Sequence, residues 1–126
     1  MEQVTTLMQE RGGLSCECDS PEVSLSGGAA SSQGSLAGTY VKMNGVTQGG
    51  RAVYQQSGGS AYLYFWAVSN DWNVGPDYND DSSALLRTVD NRETHCPEQE
   101  WSSSWQYHDG SAWQDAFVEV DCTDDA

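Results

Sequence analysis

Hydrophobic and polar side chains alternate with a period of two from about residue 36 to residue 122, a pattern typical of β-strands. Residues that favour turns interrupt this alternation roughly every 8 to 12 positions. Seven short strands are predicted in this way, at residues 38–43, 51–55, 61–68, 72–75, 84–89, 105–107 and 116–120. The pattern therefore predicts an all-β fold, a small antiparallel meander that closes into a barrel or a sandwich.

Two local patterns add detail to this prediction. Asn44-Gly45 follows the first strand and is typical of a two-residue hairpin turn, so we expect the first hairpin there. The strand at 61–68 is apolar on both faces, with Tyr62, Tyr64, Trp66 and Val68 on one and Ala61, Leu63, Phe65 and Ala67 on the other. Such a strand is either covered on both faces or leaves one aromatic face open to a ligand.

Residues 1–35 differ in composition from the rest of the chain, because they contain no aromatic residue whereas residues 36–122 hold all thirteen. Val4, Leu7 and Met8 have helical spacing that ends at Gly12-Gly13. Residues 24–35 are rich in Gly and Ser and are typical of a linker. We predict a flexible N-terminal segment and Gly/Ser-rich linker at 1–35, a β domain at 36–122 and an acidic tail at 123–126.

The charge balance narrows the classes of partner. Among the 126 residues, 19 acidic side chains outnumber 5 basic ones, which gives a net charge of −14 at pH 7. Such a surface repels nucleic acid and anionic lipid headgroups and attracts cations. No stretch approaches the roughly 18 consecutive apolar residues of a membrane span. We therefore expect a soluble domain with no nucleic-acid partner and no membrane insertion.

The four cysteines, Cys16, Cys18, Cys96 and Cys122, suggest disulfides, since an even number occurs in a short chain. Cys16 and Cys18 are too close in sequence to bridge each other comfortably. Either both of them bond Cys96 and Cys122, or only Cys96 and Cys122 pair with each other. A Cys96–Cys122 bond would close a loop of 25 intervening residues and stabilise the fold by roughly 3 kcal/mol.

Disulfides form in oxidising compartments, so we expect an extracellular domain, secreted or part of an ectodomain. Residues 1–4 lack the basic and apolar parts of a secretory signal, and we expect a piece of a longer precursor rather than an intracellular chain. Two alternatives to disulfides stay open. One is four unpaired buried thiols. The other is a zinc site made by Cys16, Cys18, His95 and Cys96, although its C-x-C and H-C spacings differ from the usual zinc motifs.

Aromatic residues are the main candidates for ligand binding. Trp101, Trp105, Tyr107 and Trp113 lie within 13 positions of one another. They either build the core of the domain or contact a sugar or a protein from a rigid sheet. A mixed arrangement has Trp105 and Trp113 inside and Trp101 exposed. The predicted ligand-binding residues are Trp101, Trp105, Tyr107, Trp113, Tyr62 and Tyr64.

An acidic loop is a second candidate site. Asp77, Asn79, Asp80 and Asp81 place four side-chain oxygen donors within five positions, and calcium binds several such oxygens at once. The consecutive Asp80-Asp81 does not fit an EF-hand. The sequence predicts either a calcium site or a solvated turn held by Asx hydrogen bonds. No other cofactor is predicted.

The order of several short motifs resembles a small disulfide-containing β module that recurs in extracellular proteins of marine invertebrates and in proteins of unicellular algae. The motifs are Gly38-x-Tyr40, Gly50-Arg51-x-Val53-Tyr54, Tyr62-Leu63-Tyr64-Phe65-Trp66, Trp72-x-Val74-Gly75, Cys96-Pro97, Trp105-Gln106-Tyr107-x-Asp109-Gly110-x-x-Trp113 and Cys122. The resemblance covers about residues 36–122 and implies a compact β domain with a Cys96–Cys122 bridge and no assigned activity. Cys16-x-Cys18 lies outside the pattern.

These observations favour a non-catalytic extracellular recognition or adhesion module that binds a glycan or a protein through exposed aromatic side chains. A secreted acidic matrix or surface component that binds calcium is one alternative. A small hydrolase is another, and it requires a histidine beside a carboxylate in a cleft. His95 and His108 are the only two histidines, and neither lies in a recognisable nucleophile motif.

Overall fold

The computed structural model describes residues 20–89 and 94–122, and of Cys122 it describes only the backbone. Eight β-strands make up most of this part: β1 Pro21–Ser26, β2 Gly38–Gln48, β3 Arg51–Gln56, β4 Tyr62–Trp66, β5 Asp71–Gly75, β6 Leu86–Thr88, β7 Trp105–His108 and β8 Trp113–Cys122. Helix α1 spans Gly27–Gln33, and 3₁₀ turns lie at Gly34–Leu36 and Pro97–Gln99. Within these residues, no helix is long and apolar enough to cross a lipid bilayer.

The strands form a closed up-and-down barrel. Each strand pairs antiparallel with the next along the chain, and β8 returns to pair with β1. The β1–β8 ladder runs from Pro21 opposite Cys122 to Ser26 opposite Phe117. The prediction of an all-β antiparallel meander that closes on itself is confirmed, and the closed form is a barrel rather than a sandwich.

Strand β1 lies where the composition predicts a linker. Residues 24–35 are not a linker in the structure, since they continue β1 and then form α1 and a 3₁₀ turn. The reason is that Val23 and Leu25 alternate with polar residues and pack against the barrel core, with Val23 opposite Val120 of β8. This tertiary pairing outweighs the low local hydrophobicity. The predicted helical pattern at residues 4–8 and the predicted tail at 123–126 lie outside the described residues.

The first hairpin turn is not at Asn44-Gly45 as the dipeptide predicts. Strand β2 continues to Gln48, and the turn consists of Gly49 and Gly50, which have φ angles of 63° and 80°. A two-residue turn of this kind needs positive φ at both central positions, and two glycines supply them without strain. Asn44-Gly45 instead lies where the β2–β3 register shifts, between Lys42 and Thr47.

Aromatic side chains fill the barrel interior. The largest fully buried side chains of the molecule belong to Trp72, Trp105, Tyr40, Tyr54, Tyr64 and Phe65, and all of these except Tyr64 belong to the main hydrophobic cluster. An eight-stranded barrel is just wide enough for side chains to fill it. The Tyr40 hydroxyl donates to the carbonyl of Leu36 at 2.6 Å, which satisfies its buried polar tip.

The strand predicted at 61–68 is covered on both faces, the first of the two predicted alternatives. It is shorter than predicted, since β4 ends at Trp66 and Val68 is 90% exposed in the turn that follows. Leu63 and Phe65 point into the core. Tyr64, on the other face, is buried beneath the loop at 76–83, and its hydroxyl donates to the carbonyl of Asp80 at 2.8 Å.

Both ends of the barrel carry additional chain. At the end where β1 finishes, α1 packs against β1, β7 and β8, and the Gln33 side-chain amide donates to the carbonyl of His108 at 2.7 Å. At the opposite end, the Trp72 indole N–H donates to the Thr94 hydroxyl at 3.0 Å, and Arg51 Nε donates to the Thr94 carbonyl at 3.1 Å. The connection from β6 to β7 is thereby attached to β3 and β5.

The role of β1 in closing the barrel leads to a prediction about stability. Val23→Ala removes two buried methyl groups and should lower the free energy of unfolding by about 2 kcal/mol. Ser24→Ala, at the neighbouring exposed position, should change it by less than about 0.5 kcal/mol. Urea unfolding of the two variants and the parent chain measures the difference. Equal stabilities for all three would contradict the placement of β1 in the barrel wall.

Candidate functional site

The predicted ligand-binding aromatics do not share one surface. Trp105 is buried in the barrel core, and Tyr107 is partly buried against the same core. Tyr64 is buried on the outer face of β4, and Tyr62 beside it is half-buried with its ring edge-on to that of Tyr78. Because they are buried, Trp105 and Tyr64 cannot contact a ligand on the surface.

Trp101 is 61% exposed in the connection between β6 and β7. Trp113 is half-buried at the start of β8, but on the outside of the barrel rather than inside it. The register of the β7–β8 ladder explains this position. Trp105 and Ala116 form a pair that faces the core, and side chains alternate between the two faces of a strand. Trp113, three residues before Ala116 and opposite His108, therefore faces outwards. Of Trp101 and Trp113, only Trp113 lines a groove.

Two adjoining grooves meet at Trp113 on the outer wall. They share Asp81, Ala84, Arg87 and Trp113, and we call the two grooves together the Trp113 groove. One part, of about 270 Å³, is also lined by Ser82, Ser83, Leu85 and His108. The other part, of about 140 Å³, is also lined by Ser69, Asp71 and Asn73. The site is therefore a shallow surface feature with an aromatic ring, a cation and carboxylates.

Cross-strand neighbours assemble this groove. Arg87 on β6 lies opposite Gln106 on β7, and Gln106 lies opposite Asp115 on β8. Trp113, two residues before Asp115, therefore sits diagonally across β7 from Arg87 and within reach of it. The guanidinium carbon of Arg87 lies 4.0 Å from the centre of the Trp113 ring. Its Nε and Nη2 atoms donate to the Gln106 side-chain oxygen at 3.2 Å and 3.0 Å.

His108 contacts the other side of this arrangement. Its ring is edge-on to Trp113, with centroids 5.2 Å apart and an interplanar angle of 85°. Its Nδ1 atom accepts a hydrogen bond from the Gly110 N–H at 3.1 Å. A histidine that acts as a base in a serine-type triad donates from Nδ1 to a carboxylate, and here Nδ1 is an acceptor instead. The arrangement of His108 thus fits a role in holding Trp113.

The turn between β7 and β8 fixes the position of Trp113. The Asp109 carboxylate accepts hydrogen bonds from the backbone N–H groups of Ser111 and Ala112, both at 2.8 Å, and from the Gln114 amide at 3.0 Å. These bonds, first that from Ser111 and then that from Ala112, lower the pKa of Asp109 to about 2. A carboxylate held in this way makes the turn that precedes Trp113 rigid.

The acidic loop has the geometry of Asx turns. Asp77 accepts from the Asn79 N–H at 2.9 Å, and Asp80 accepts from the N–H and the hydroxyl of Ser82 at 2.9 Å and 2.7 Å. The bond from the Ser82 hydroxyl is the largest cause that lowers the pKa of Asp80. Among residues 20–89 and 94–122, no group of three or more His, Cys, Asp or Glu side chains is placed to hold a metal ion. Calcium binding by Asp77, Asn79, Asp80 and Asp81 stays a prediction.

The loop that carries these residues covers the outer wall. The Gln48 amide donates to the carbonyl of Tyr78 at 3.0 Å and to the Asn79 side chain at 3.2 Å. Together with the bond from Tyr64 to Asp80, this attaches the loop across β2 and β4. Burial beneath the loop raises the pKa of Tyr64 to about 12, so the hydroxyl keeps its proton as a donor. The attached loop forms one side of the Trp113 groove through Asp81.

The cysteines are described only in part. Cys96 is buried at the 3₁₀ turn Pro97–Gln99, and no cysteine among the described residues is a free thiol. Cys16 and Cys18 lie outside the described residues, as does the side chain of Cys122. The pairing of the cysteines and the zinc alternative with His95 therefore stay predictions.

A broader concavity of about 540 Å³ lies along the irregular part of β2 and the end of β3. It is lined by Val41, Lys42, Met43, Asn44, Val46 and residues 55–59. None of these side chains is aromatic or acidic, so this surface offers a ligand little directional recognition beyond Lys42 and amides. The Trp113 groove is smaller but has a richer set of donors and acceptors.

Comparison with known proteins identifies no relative: no family model matches the chain, and neither a curated protein nor a solved structure is significantly similar to it. The resemblance to the repeated extracellular module therefore remains a prediction.

The bonds around Asp109 lead to a prediction about pH. A depressed pKa in the folded state means that the carboxylate stabilises the fold above pH 3.8, and that this stability is lost as the pH falls towards 2. Asp109→Asn should therefore be less stable than the parent chain at pH 7, with the difference shrinking between pH 4 and pH 2. Asp115→Asn, an exposed position on β8, serves as the control. A deficit of Asp109→Asn that is independent of pH in urea unfolding would refute this role.

Proposed function

We propose that the chain is a non-catalytic extracellular recognition module that binds a glycan in the Trp113 groove. The observation that carries the proposal is the half-exposed Trp113 indole, which Arg87 and His108 hold beside hydrogen-bond donors and acceptors. A sugar ring presents an apolar face and a rim of hydroxyl groups. An indole suits the apolar face, while Arg87 donates and Asp81 accepts hydrogen bonds at the rim.

The rigidity of the indole supports binding. Asp109 fixes the turn before Trp113, His108 packs against the ring edge, and Arg87 covers one part of the ring. A side chain that is already ordered loses little conformational entropy when a ligand binds. The ligand would contact the part of the indole that Arg87 leaves open. The small volume of the grooves suits a short part of an extended glycan.

The groove also suits binding better than hydrolysis. His108 lines it together with Asp81 and two serines, which is the combination that a hydrolase would need. However, Nδ1 of His108 accepts the Gly110 N–H, so this nitrogen is occupied in the observed geometry. No described carboxylate is hydrogen-bonded to His108, and the ring lies against Trp113 instead. These contacts favour a module without catalytic activity.

The expected result of a binding experiment follows from the exposed indole. On an array of diverse glycans, the parent chain should retain a defined subset, and Trp113→Ala should weaken that binding at least about tenfold, because truncation of a central aromatic contact typically costs 1–2 kcal/mol or more. Phe117→Ala is the matched control, since Phe117 is 48% exposed on the same strand but lines neither groove.

Trp101→Ala tests the other exposed indole in the same experiment. Loss of glycan binding in Trp101→Ala but not in Trp113→Ala would move the site to the β6–β7 connection. Retention of no glycan by the parent chain would contradict the proposal as a whole.

The extracellular assignment rests on the cysteines and on the strand directions. Cys96 lies in the connection from β6 to β7, and Cys122 ends β8. In an up-and-down barrel these two positions are at the same end, which is also the end where β1 begins at Pro21 opposite Cys122. The 3₁₀ turn that follows Cys96 also packs against β8. This topology supports a Cys96–Cys122 disulfide and an oxidising compartment.

Peptide mapping of the chain, purified without reductant, tests this assignment. A peptide that links Cys96 to Cys122 is expected, and reduction should lower the free energy of unfolding by roughly 3 kcal/mol. Links from both residues to Cys16 and Cys18 would change the connectivity but keep the compartment. Four free thiols would contradict the extracellular assignment.

A further inference from the structure

Arg87 has hydrogen-bond donors that no described residue uses. A guanidinium carries five N–H donors. Two of them, one on Nε and one on Nη2, go to the side-chain oxygen of Gln106. Five minus two leaves three donors, two on Nη1 and one on Nη2, for which no acceptor is found among the described residues. Arg87 is half-buried, but its Nη1 atom is accessible to solvent, so a ligand can reach these donors.

The unused donors have a defined geometry. A guanidinium can hold two oxygens in parallel along its Nε–Nη2 edge or along its Nη1–Nη2 edge. Gln106 occupies the first edge with a single oxygen, and the Trp113 ring lies over the guanidinium face. The Nη1–Nη2 edge is left to bind the two oxygens of a carboxylate or a sulfate. Arg87 lines both parts of the Trp113 groove, where such a group would lie.

The charge of Arg87 is not paired within the described part of the chain, although the chain is acidic overall. The chain has 19 acidic residues and 5 basic ones, yet no carboxylate in the described part of the chain forms an ion pair with Arg87. An arginine held in place by an amide and an indole in so acidic a chain keeps its charge available for an external anion.

Asp81 lines both parts of this groove and Asp71 lines the smaller part, so two carboxylates oppose the binding of an anion by Arg87. Asp81 is exposed, and its carboxylate makes no hydrogen bond to a described residue, so it can turn towards water. Arg87 cannot move in this way, because Gln106 and Trp113 hold it.

We infer that the Trp113 groove selects glycans that carry an anionic group, a carboxylate or a sulfate, through the Nη1–Nη2 edge of Arg87. This inference rests on the proposed glycan-binding function and specifies its ligand class. Trp113 contacts the sugar ring, Arg87 binds the anionic substituent, and Asp71 and Asp81 limit the affinity by repulsion. A neutral glycan would lack the charge-assisted pair of hydrogen bonds and would bind more weakly.

The test uses three oligosaccharides with the same backbone, one neutral, one carboxylated and one sulfated, titrated into the full chain by isothermal calorimetry. The parent chain should bind at least one anionic form tenfold or more tightly than the neutral form. Arg87→Gln should reduce this preference to less than threefold. Arg87→Lys should recover only part of it, since an ammonium group lacks the planar fork. Asp81→Asn should strengthen binding of the anionic form about twofold to fivefold.

Lys42→Gln is the matched control for charge, because it also removes one positive charge but lies in the separate concavity along β2. It should leave the preference unchanged. The carboxylated and sulfated arms show which of the two groups the edge prefers, and either preference supports the inference. Thermal melting of each variant verifies folding. Should Arg87→Gln fail to fold, the ratio of anionic to neutral affinity in the parent chain and in Arg87→Lys still decides the question.

The two proposals fail in different ways. Equal or tighter binding of the neutral form by the parent chain would overturn the selection of anionic glycans. It would leave glycan binding in place, provided that Trp113→Ala still weakens that binding about tenfold or more. An equal loss of preference in Lys42→Gln would also overturn it, since the effect would then reflect total charge. Absence of binding to every form would refute the glycan-binding function itself.

Discussion

Pairing of β1 with β8 is the constraint on which the rest of the molecule depends. Without this ladder, β1 and β8 would be open edges whose unpaired N–H and C=O groups invite association with other chains. With it, all eight strands share one closed sheet, and Val23 and Val118 lie within the core. Closure also fixes which side of each strand faces outwards. The outward positions of β6, β7 and β8 bring Arg87, Gln106 and Trp113 together.

The filled interior determines where a ligand can bind. Trp72, Trp105 and Phe65 occupy the space in which a wider barrel would hold a small molecule. A ligand would therefore have to bind on the outer wall, where the loop at 76–83 lies over β4 and forms a groove at its margin. The aromatic residues of the core are thus unavailable to a ligand, whereas the register of β8 turns Trp113 outwards.

The fold was largely predictable from alternation, because strands with one buried face have a strong period of two. The strand β1 was missed, since only Val23 and Leu25 indicate it among small and polar residues, and its partner β8 is about a hundred positions away. The first hairpin was misplaced because Asn44-Gly45 and Gly49-Gly50 are both good turn sequences, and only the cross-strand register decides between them. Trp113 was predicted as a ligand residue. Arg87 was not, because its contacts with Gln106 and Trp113 depend on a register that single-chain patterns do not reveal.

The central claim is that an outward indole on β8, and not the exposed Trp101 or the concavity along β2, receives the ligand. Nuclear magnetic resonance titration of the full chain with an oligosaccharide that it binds tests this most directly. Each of the five indole N–H groups gives its own signal. The account predicts that the indole signal of Trp113 and the Nε signal of Arg87 shift on binding, while those of buried Trp72 and Trp105 stay in place. Shifts confined to Trp101, or to the backbone of Lys42 and its neighbours, would contradict it.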